Sequence, residues 1–311
     1  MVRAGCRDAV SNGTNVQVAV RIRPRLARER DGSECVEKVE NEPQIVVAGR
    51  RSFTFDFVFE PSSAQEELYE QCVEPLVGAF FEGFNATVLA YGQTGSGKTY
   101  TMGSAAQGVN LEAERGVIPR VIERVFTMIE ERGVDEASEV VFAVSVTFIE
   151  IYGEDVRDLL VDDSKTETCG IGAVTVRELD GELALVGATQ LVVTSSADTL
   201  DALERGSLVR TTASTMMNDT SSRSHAIFSI SLSSTRGSDG DAIEASVTGK
   251  LPGDRETRSS KFHFVDLAGS ERAKRTGAIG VRLREGININ KGLLALGNVI
   301  SSLGDQKKRT M

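Results

Sequence analysis

Residues 92–99 have the types and the spacing of a loop that binds phosphate groups. The segment Gly92-Gln-Thr-Gly-Ser-Gly-Lys98-Thr99 fits the pattern G-x-x-x-x-G-K-[ST] at every position. Its glycines let the backbone curl so that successive N–H groups converge on an anion. Lys98 would supply positive charge to the outer phosphates, and the Thr99 hydroxyl is a ligand for Mg²⁺. A glycine-rich turn that matches by chance is the alternative, but the apolar run 86–91 predicts a buried strand directly before the loop.

A second polar segment begins where the apolar strand predicted over 261–265 ends. Its first residue is Asp266, and a carboxylate at the carboxyl end of such a strand can meet the water shell of Mg²⁺. The run Asp266-Leu-Ala-Gly269 can turn so that the Gly269 N–H faces a γ-phosphate, a position suited to a residue without a side chain. An ordinary turn at the end of a strand is the alternative.

A third segment, 218–225, reads Asn-Asp-Thr-Ser-Ser-Arg-Ser-His and precedes another predicted strand. A loop with so many short polar groups could be merely solvated. It matches N-x-x-S-S-R-S-H, however, and together with the phosphate loop and Asp-Leu-Ala-Gly-Ser-Glu at 266–271 it resembles the kinesin motor domain. Arg21-Ile-Arg23-Pro24 on the first predicted strand resembles that family's adenine-side motif. The resemblance runs from about Asn15 to the last residue.

The resemblance implies a role for each residue that matches a kinesin motif. The loop 92–99 would bind the phosphates of ATP, with Thr99 and Ser222 ligating Mg²⁺ and Asp266 acting through water. Ser221 and Gly269 would sense the γ-phosphate. Arg223 and Glu271 would form a salt bridge that closes the site and, through waters, positions and deprotonates the attacking water. The cofactor-binding set is Arg23, Pro24, Gly92, Gln93, Thr94, Gly95, Ser96, Gly97, Lys98, Thr99 and Tyr100.

The resemblance implies that the base bound at the site is adenine. Arg23 and Pro24 would flank it, with Tyr100 stacking nearby. The guanine-reading sequence Asn-Lys-x-Asp of small GTPases is missing, because Asn290-Lys291-Gly292 is followed by Leu293. ATP is therefore favoured over GTP. With these assignments the candidate catalytic residues are Lys98, Ser221, Arg223, Gly269 and Glu271.

The composition excludes several other classes of protein. The 311 residues contain no stretch long enough for a membrane span, and the amino terminus is too polar for a signal peptide, so a soluble intracellular protein is predicted. Four scattered cysteines and two histidines predict neither a zinc site nor a disulfide framework. The net charge of -10 argues against a general nucleic-acid binder.

The basic region 272–291 departs from this acidic average. It carries six basic residues against one acidic residue, Glu285, which leaves a net charge of +5, and 307–309 add more basic residues. A solvated face is one interpretation, and a surface aimed at an acidic partner is the other. In kinesins the last helix and its flanking loops face the microtubule, whose surface is acidic. The resemblance therefore implies that microtubules are the partner, bound through 272–291 and the last helix.

The predicted fold class is α/β, because predicted strands and helices alternate around the phosphate loop. The resemblance makes this a kinesin motor fold of the phosphate-loop NTPase type, with a mixed central sheet and helices on both faces. Predicted strands are 16–22, 45–47, 53–59, 86–91, 139–152, 226–233 and 261–265. Predicted helices are 65–81, which Pro61-Ser-Ser63 would cap, and 118–133, 155–160, 195–210 and 286–303. A polar leader, 1–14, precedes the domain 15–311, and a flexible insert is expected at about 237–260.

The resemblance also implies that the motor domain is incomplete at its carboxyl end. A basic loop, a sheet strand, further helices and the neck linker would follow Met311, and oligomerisation would need a coiled coil outside this chain. The missing strand would lie between the strands at 16–23 and 86–91, and its loss would leave unpaired backbone groups costing about 1–3 kcal/mol each. We expect a fragment or truncated gene model that does not fold stably alone, which a cooperative melt above ordinary growth temperature would refute.

Two functions remain open at this point. The first is an ATP-driven microtubule motor on the cytoskeleton, with the spindle as one candidate place. The second is a non-motile fragment that binds nucleotide or microtubules without force, and an unrelated phosphate-loop enzyme would require coincidental matches at both other segments. The last helix most resembles the chromokinesin-like branch, with Gly292 in place of the serine common elsewhere.

Overall fold

The computed structural model describes residues 16–29, 31–104, 112–133, 140–161, 174–179, 182–216, 222–236, 256–272 and 280–304. Several sequence-based expectations fall on other residues and lie outside these ranges. They are the leader 1–14, Ser221, the insert over 237–255, and the basic residues Lys274, Arg275 and 307–309.

The strands follow one another along the chain, with helices between many of them. In chain order they are β1 (Ala19–Arg21), β2 (Val36–Lys38), β3 (Gln44–Val47), β4 (Arg51–Thr54), β5 (Phe57–Phe59), β6 (Ala86–Ala90), β7 (Val140–Tyr152), β8 (Asp155–Asp158), β9 (Thr175–Leu179), β10 (Glu182–Val186), β11 (Leu191–Val193), β12 (His225–Arg236) and β13 (Glu256–Asp266).

The central sheet has the strand order β11-β7-β12-β13-β6, and β8 pairs with β7. β12 is antiparallel to both β7 and β13, whereas β13 and β6 are parallel. In the parallel pair Asp266 lies opposite Ala90. The carboxyl end of β13 therefore lies directly beside the start of the phosphate loop.

Smaller sheets accompany the central one. β1 and β5 form a parallel pair, β2, β3 and β4 form an antiparallel sheet, and β9 and β10 form a hairpin. Within the described residues, β1 and β6 are not hydrogen-bonded to each other. The instability expected from the sequence stays a prediction.

The helices are α1 (Gln65–Cys72), α2 (Glu74–Phe81), α3 (Lys98–Met102), α4 (Val117–Gly133), α5 (Ser196–Met216) and α6 (Val281–Gly304). Among those described, none combines the length and the apolar character needed to cross a membrane.

One face of the central sheet carries the main hydrophobic core. α1, α2, α4 and α5 bury apolar residues there against β7, β12 and β13. Phe262 and Phe264 of β13 stack with their ring centroids 4.5 Å apart, and both are almost fully buried. A Cβ on Gly206 of α5 would collide with the ring of Phe148, so glycine lets α5 lie close on β7.

The opposite face of the sheet is covered by α6. Val265 points away from Phe264 because neighbouring side chains of a strand alternate between the two faces. It packs with Leu267 and with Leu293 of α6 in a second, smaller cluster. Helices therefore lie on both faces of a mixed sheet, which confirms the predicted fold class.

Some predicted elements are wrong in their bounds or type. The helix predicted over 65–81 is broken at Val73, where Pro75 starts the first turn of a new helix, and Ser63 accepts a hydrogen bond from Glu60 N instead of capping α1. The segment predicted as a helix at 155–160 contains strand β8 instead, because Gly153 (φ 63°) turns the chain back along β7.

Two of the predicted strands also differ from the observed ones. The strand predicted over 53–59 is two strands, β4 and β5, in different sheets. β13 starts at Glu256, five residues earlier than expected, and residues 256–260 of the predicted insert pair with β12. The longer pairing extends a strand whose apolar part alone was visible in the sequence.

Candidate active site

The phosphate loop connects the end of β6 to the start of α3. Gly95 and Gly97 have φ values of 76° and 97°, in the left-handed region that favours glycine. α3 begins directly after Gly97, so the free N–H groups of its first turn and its positive dipole end face the loop. The sequence thus folds here into a backbone cradle that suits an anion.

Lys98 folds back over this cradle. Its Nζ donates hydrogen bonds to the carbonyl oxygens of Gly92 at 3.0 Å and Gln93 at 3.1 Å. Burial lowers the pKa of Lys98, while Asp266 and Glu271 act in the opposite direction. The amine therefore lies above the loop. The oxygen atoms of a bound phosphate would replace the two carbonyl groups as acceptors of its hydrogen bonds.

Thr99 and Asp266 meet at the end of β13. The Thr99 hydroxyl donates to Oδ2 of Asp266 at 2.7 Å. Oδ1 of the same carboxylate is buried and has no hydrogen-bond partner within the described residues. Mg²⁺ prefers oxygen ligands and keeps several of its water molecules. The Thr99 hydroxyl and the Asp266 carboxylate therefore fit the predicted Mg²⁺ site. In the described ranges no group of three or more His, Cys, Asp or Glu side chains is placed to hold a metal ion.

Backbone hydrogen bonds join the three predicted segments. Gly269 N donates to the carbonyl of Ser222 at 2.8 Å, and Ser270 N donates to the carbonyl of Gly92 at 3.2 Å. Ala268 N donates to Nδ1 of His225 at 3.0 Å. Segments 222–225, 266–271 and 92–99 thus converge on one place.

The side chain of Glu271 contacts the phosphate loop. Its carboxylate accepts hydrogen bonds from Thr94 N at 2.9 Å and from the Thr94 hydroxyl at 2.8 Å. Burial alone would raise the pKa of Glu271, but the two bonds from Thr94, a hydrogen bond to its own backbone and the charge of Lys98 together lower it. A Cβ on Gly269 would collide with this carboxylate and with the Thr94 hydroxyl, so a side chain at this position would displace Glu271 from Thr94.

The predicted salt bridge between Arg223 and Glu271 is not formed in this structure. Arg223 instead donates to Oε2 of Glu285 at 2.7 Å, and the hydroxyl of Tyr152 donates to Oε1 of the same residue at 3.0 Å. Each side chain of the predicted pair therefore has a different partner. Glu271 is hydrogen-bonded to Thr94, and Arg223 is bonded to Glu285 near the start of α6.

The residues predicted to lie beside adenine are at the end of β1 and on α3. The guanidinium of Arg21 lies over the ring of Tyr100, 5.3 Å from its centroid, and donates to the Thr101 hydroxyl at 3.0 Å. Tyr100 is half exposed, so part of its ring stays accessible to a base. Arg23 forms an ion pair with Glu29 at 2.6 Å and donates to the carbonyl of Pro24. A nucleobase would have to fit beside that pair.

A buried ionic cluster that the sequence did not predict lies next to Asp266. Arg210 of α5 donates to Oδ2 of Asp266 at 3.1 Å, and its Nε lies 3.7 Å from a Glu150 carboxylate oxygen. Arg210 and Glu150 are almost fully buried. The available signal was Glu150 itself: an acidic residue inside the apolar run Phe148-Ile-Glu-Ile must have a cationic partner when the strand is buried.

The comparison with known families decides the identity. The family described as Kinesin motor domain matches residues 12–311. The chain belongs to the kinesin motor domain family. A solved kinesin, titled "Structure of a fast kinesin: Implications for ATPase mechanism and interactions with microtubules", superposes with a TM-score of 0.75 at 34% identity, covering 92% of this chain and 75% of that chain.

Longer kinesins are similar to this chain in sequence. The kinesin-like protein KIF21B of Mus musculus is 46% identical over 312 residues, which cover 95% of this chain and 19% of KIF21B. The chromosome-associated kinesin KIF4A of Homo sapiens is 48% identical over 301 residues, which cover 95% of this chain and 22% of KIF4A. The chain spans about a fifth of the length of these relatives. The second match confirms the chromokinesin-like branch predicted from the last helix.

The residues that match the kinesin motifs thus lie in three places. Lys98, Thr99, Ser222, Asp266, Gly269 and Glu271 meet around the phosphate loop. Arg223 lies on the α6 side, and Arg23 and Pro24 lie near the end of β1. The roles of these residues stay predictions.

Proposed function

We propose that this chain is a microtubule-stimulated, Mg²⁺-dependent ATPase that works as a motor domain on the cytoskeleton. The proposal is carried by the way segments 222–225 and 266–271 meet the phosphate loop. Gly269 N donates to the carbonyl of Ser222, and Ser270 N donates to the carbonyl of Gly92. A loop that only bound nucleotide would not need two further segments linked in this way. Kinship with kinesins supports the same reaction.

Nucleotide binding would replace some of the hydrogen bonds that the site residues make with one another. Lys98 would leave the carbonyl oxygens of Gly92 and Gln93 for the outer phosphates. Thr99 and Ser222 would hold Mg²⁺, with Asp266 bound through water. The ion would neutralise charge that develops on the phosphates during transfer. The exposed ring of Tyr100, supported from one side by Arg21, would stack on adenine.

Hydrolysis would require Glu271 and Arg223 to change partners. Glu271 is bonded to Thr94 and Arg223 to Glu285, so the two side chains do not pair with each other in this arrangement. Their pairing would bring a carboxylate base and a cation to the same water, and positioning of that water supplies most of the catalysis in phosphoryl transfer.

The γ-phosphate would be sensed through Gly269. Its N–H is bonded to the carbonyl of Ser222, so an incoming phosphate oxygen would have to compete for this donor. A charged acceptor forms the stronger hydrogen bond, by roughly a factor of two. The segment 266–271 would therefore move when the γ-phosphate arrives and relax when it leaves.

α6 would carry that movement to the microtubule. Its residue Glu285 is bonded to Arg223, and Nδ2 of Asn290 donates to the carbonyl of Glu271 at 3.1 Å. The outer side of α6 exposes apolar residues such as Leu294, together with the basic residues Arg284 and Lys291. An apolar and basic helix face suits the acidic surface of a microtubule.

Steady-state ATPase measured with and without microtubules tests this function. We expect Mg²⁺-dependent hydrolysis that microtubules accelerate. Nucleotide binding without any acceleration would instead favour the second candidate, a non-motile fragment.

A further inference from the structure

The buried side chain of Gln65 links three separate parts of the chain. Gln65 is the first residue of α1 and is only 2% exposed. Its Oε1 accepts a hydrogen bond from Nη1 of Arg21 at 2.6 Å. Its Nε2 donates to the carbonyl of Tyr100 at 2.8 Å and to that of Glu114 at 3.5 Å. One amide group therefore joins the end of β1, the helix α3 and the segment before α4.

These partners explain why the residue is a glutamine. A guanidinium can only donate and a carbonyl can only accept, so the side chain between them must offer both an acceptor and a donor. A carboxylate would place an oxygen against the Tyr100 carbonyl, and an apolar side chain would bond to neither partner. α3 ends at Met102, so the carbonyl of Tyr100 has no partner within the helix and takes one from Gln65.

The bond from Arg21 to Gln65 helps to hold the guanidinium over the ring of Tyr100. Arg21 also donates to the Thr101 hydroxyl at 3.0 Å and to the carbonyl of Ser63 at 3.4 Å. Its Cζ lies 5.3 Å from the centroid of the Tyr100 ring, where a cation is attracted to the face of an aromatic group. Gln65 thus holds Tyr100 at two points: the backbone directly, and the ring through Arg21.

The position of Tyr100 relative to the phosphate loop matters because the base and the phosphates of a nucleotide are joined through the ribose. Tyr100 directly follows Thr99, the last residue of that loop, and its ring is half exposed. A base could therefore stack on the face that Arg21 leaves open. A ring that is already held in place loses less conformational freedom when a base stacks on it, so it binds the base more tightly.

We propose that Gln65 is a positioning residue for the nucleobase: it holds the ring of Tyr100 in place beside the phosphate loop, and so raises the affinity for nucleotides but not for phosphates alone. The proposal rests on the nucleotide binding of the proposed function and deepens it. Gln65 touches no ligand in this role and acts only through Arg21 and Tyr100. Stacking of a base on an aromatic side chain contributes about 5- to 150-fold to affinity, and loss of the support for the ring would remove part of this.

Displacement of a ribose-labelled fluorescent ADP analogue by ATP and by inorganic tripolyphosphate, both with Mg²⁺, tests this inference. Gln65→Met keeps the length of the side chain and removes its hydrogen bonds. We expect ATP to bind this variant about 5- to 10-fold more weakly than the parent. Tripolyphosphate has no base and should bind both equally. The matched control is Gln71→Met, at an exposed glutamine of the same helix, which should behave as the parent.

A second variant, Gln65→Glu, covers the case in which the first substitution prevents folding. Its carboxylate keeps an acceptor for Arg21 and lies in the first turn of a helix, where negative charge is favourable, but it cannot donate to the carbonyl of Tyr100. The same selective loss of ATP affinity is expected.

Equal weakening of ATP and tripolyphosphate, or unchanged ATP affinity in either folded variant, would overturn the positioning role of Gln65. Binding requires no hydrolysis, so the two proposals can fail separately. A parent chain that binds ATP without hydrolysing it would contradict the proposed ATPase alone. A parent chain that binds no analogue would overturn the nucleotide site and this inference with it.

Discussion

Glu271→Ala is expected to reduce ATP turnover by at least about 100-fold and to leave nucleotide binding intact. A positioned acid or base contributes about 10²- to 10⁴-fold to a proton transfer, and alanine removes the carboxylate altogether. The phosphate loop would keep its own contacts, because Glu271 bonds to the loop only at Thr94. Phosphate release at saturating microtubules and binding of a fluorescent nucleotide measure the two effects separately.

Two further variants make this result specific. Glu271→Gln keeps an oxygen that can accept a hydrogen bond from Thr94 but cannot act as a base, so it should be as inactive as the alanine variant. Glu204→Ala removes an exposed carboxylate on α5, away from the contacts of the site, and should retain full turnover. Turnover within about threefold of the parent in both Glu271 variants would exclude this residue as the base.

Thr99→Asn is expected to lower ATP turnover by more than about 100-fold, since loss of an outer partner of a metal ligand already costs about 10- to 100-fold. The hydroxyl that would bind Mg²⁺ is gone in this variant. An asparagine N–H₂ can still donate to Asp266, so the contact between α3 and the end of β13 can persist and the chain should fold. Turnover as a function of Mg²⁺ concentration measures the effect.

Thr99→Ser is the conservative partner of this substitution. It keeps the hydroxyl and loses one methyl group, so we expect turnover close to that of the parent at saturating Mg²⁺. Equal activity of the Asn and Ser variants would show that the hydroxyl at 99 does not hold the metal.

The phosphate loop could be predicted from the sequence because its function is local. Eight consecutive residues supply the turn, the donors and the charge, and the structure places Gly95 and Gly97 in the conformation that the pattern requires. The central sheet was predictable for a related reason, since its long strands carry apolar residues either in runs or in alternation with polar ones. The break between α1 and α2 was also visible in principle, at Pro75.

The partners of the charged side chains could not be predicted. Thr94 and Glu271 are 177 residues apart, and Arg223 and Glu285 are 62 apart, so their contacts depend on how α6 and the phosphate loop pack. The family motif suggests one pairing, Arg223 with Glu271, whereas the structure contains a different one. A motif fixes which groups are available, and the conformation decides which of them meet.

The most direct test of the central claim is the affinity of the chain for microtubules in two nucleotide states. Cosedimentation would be measured with a non-hydrolysable ATP analogue and with ADP, each at saturating concentration and with Mg²⁺. If the γ-phosphate is sensed by the three converging segments and passed on through α6, affinity should differ between the two states by about 5- to 150-fold, the usual range of coupling between sites. Equal affinity in both states would contradict the account.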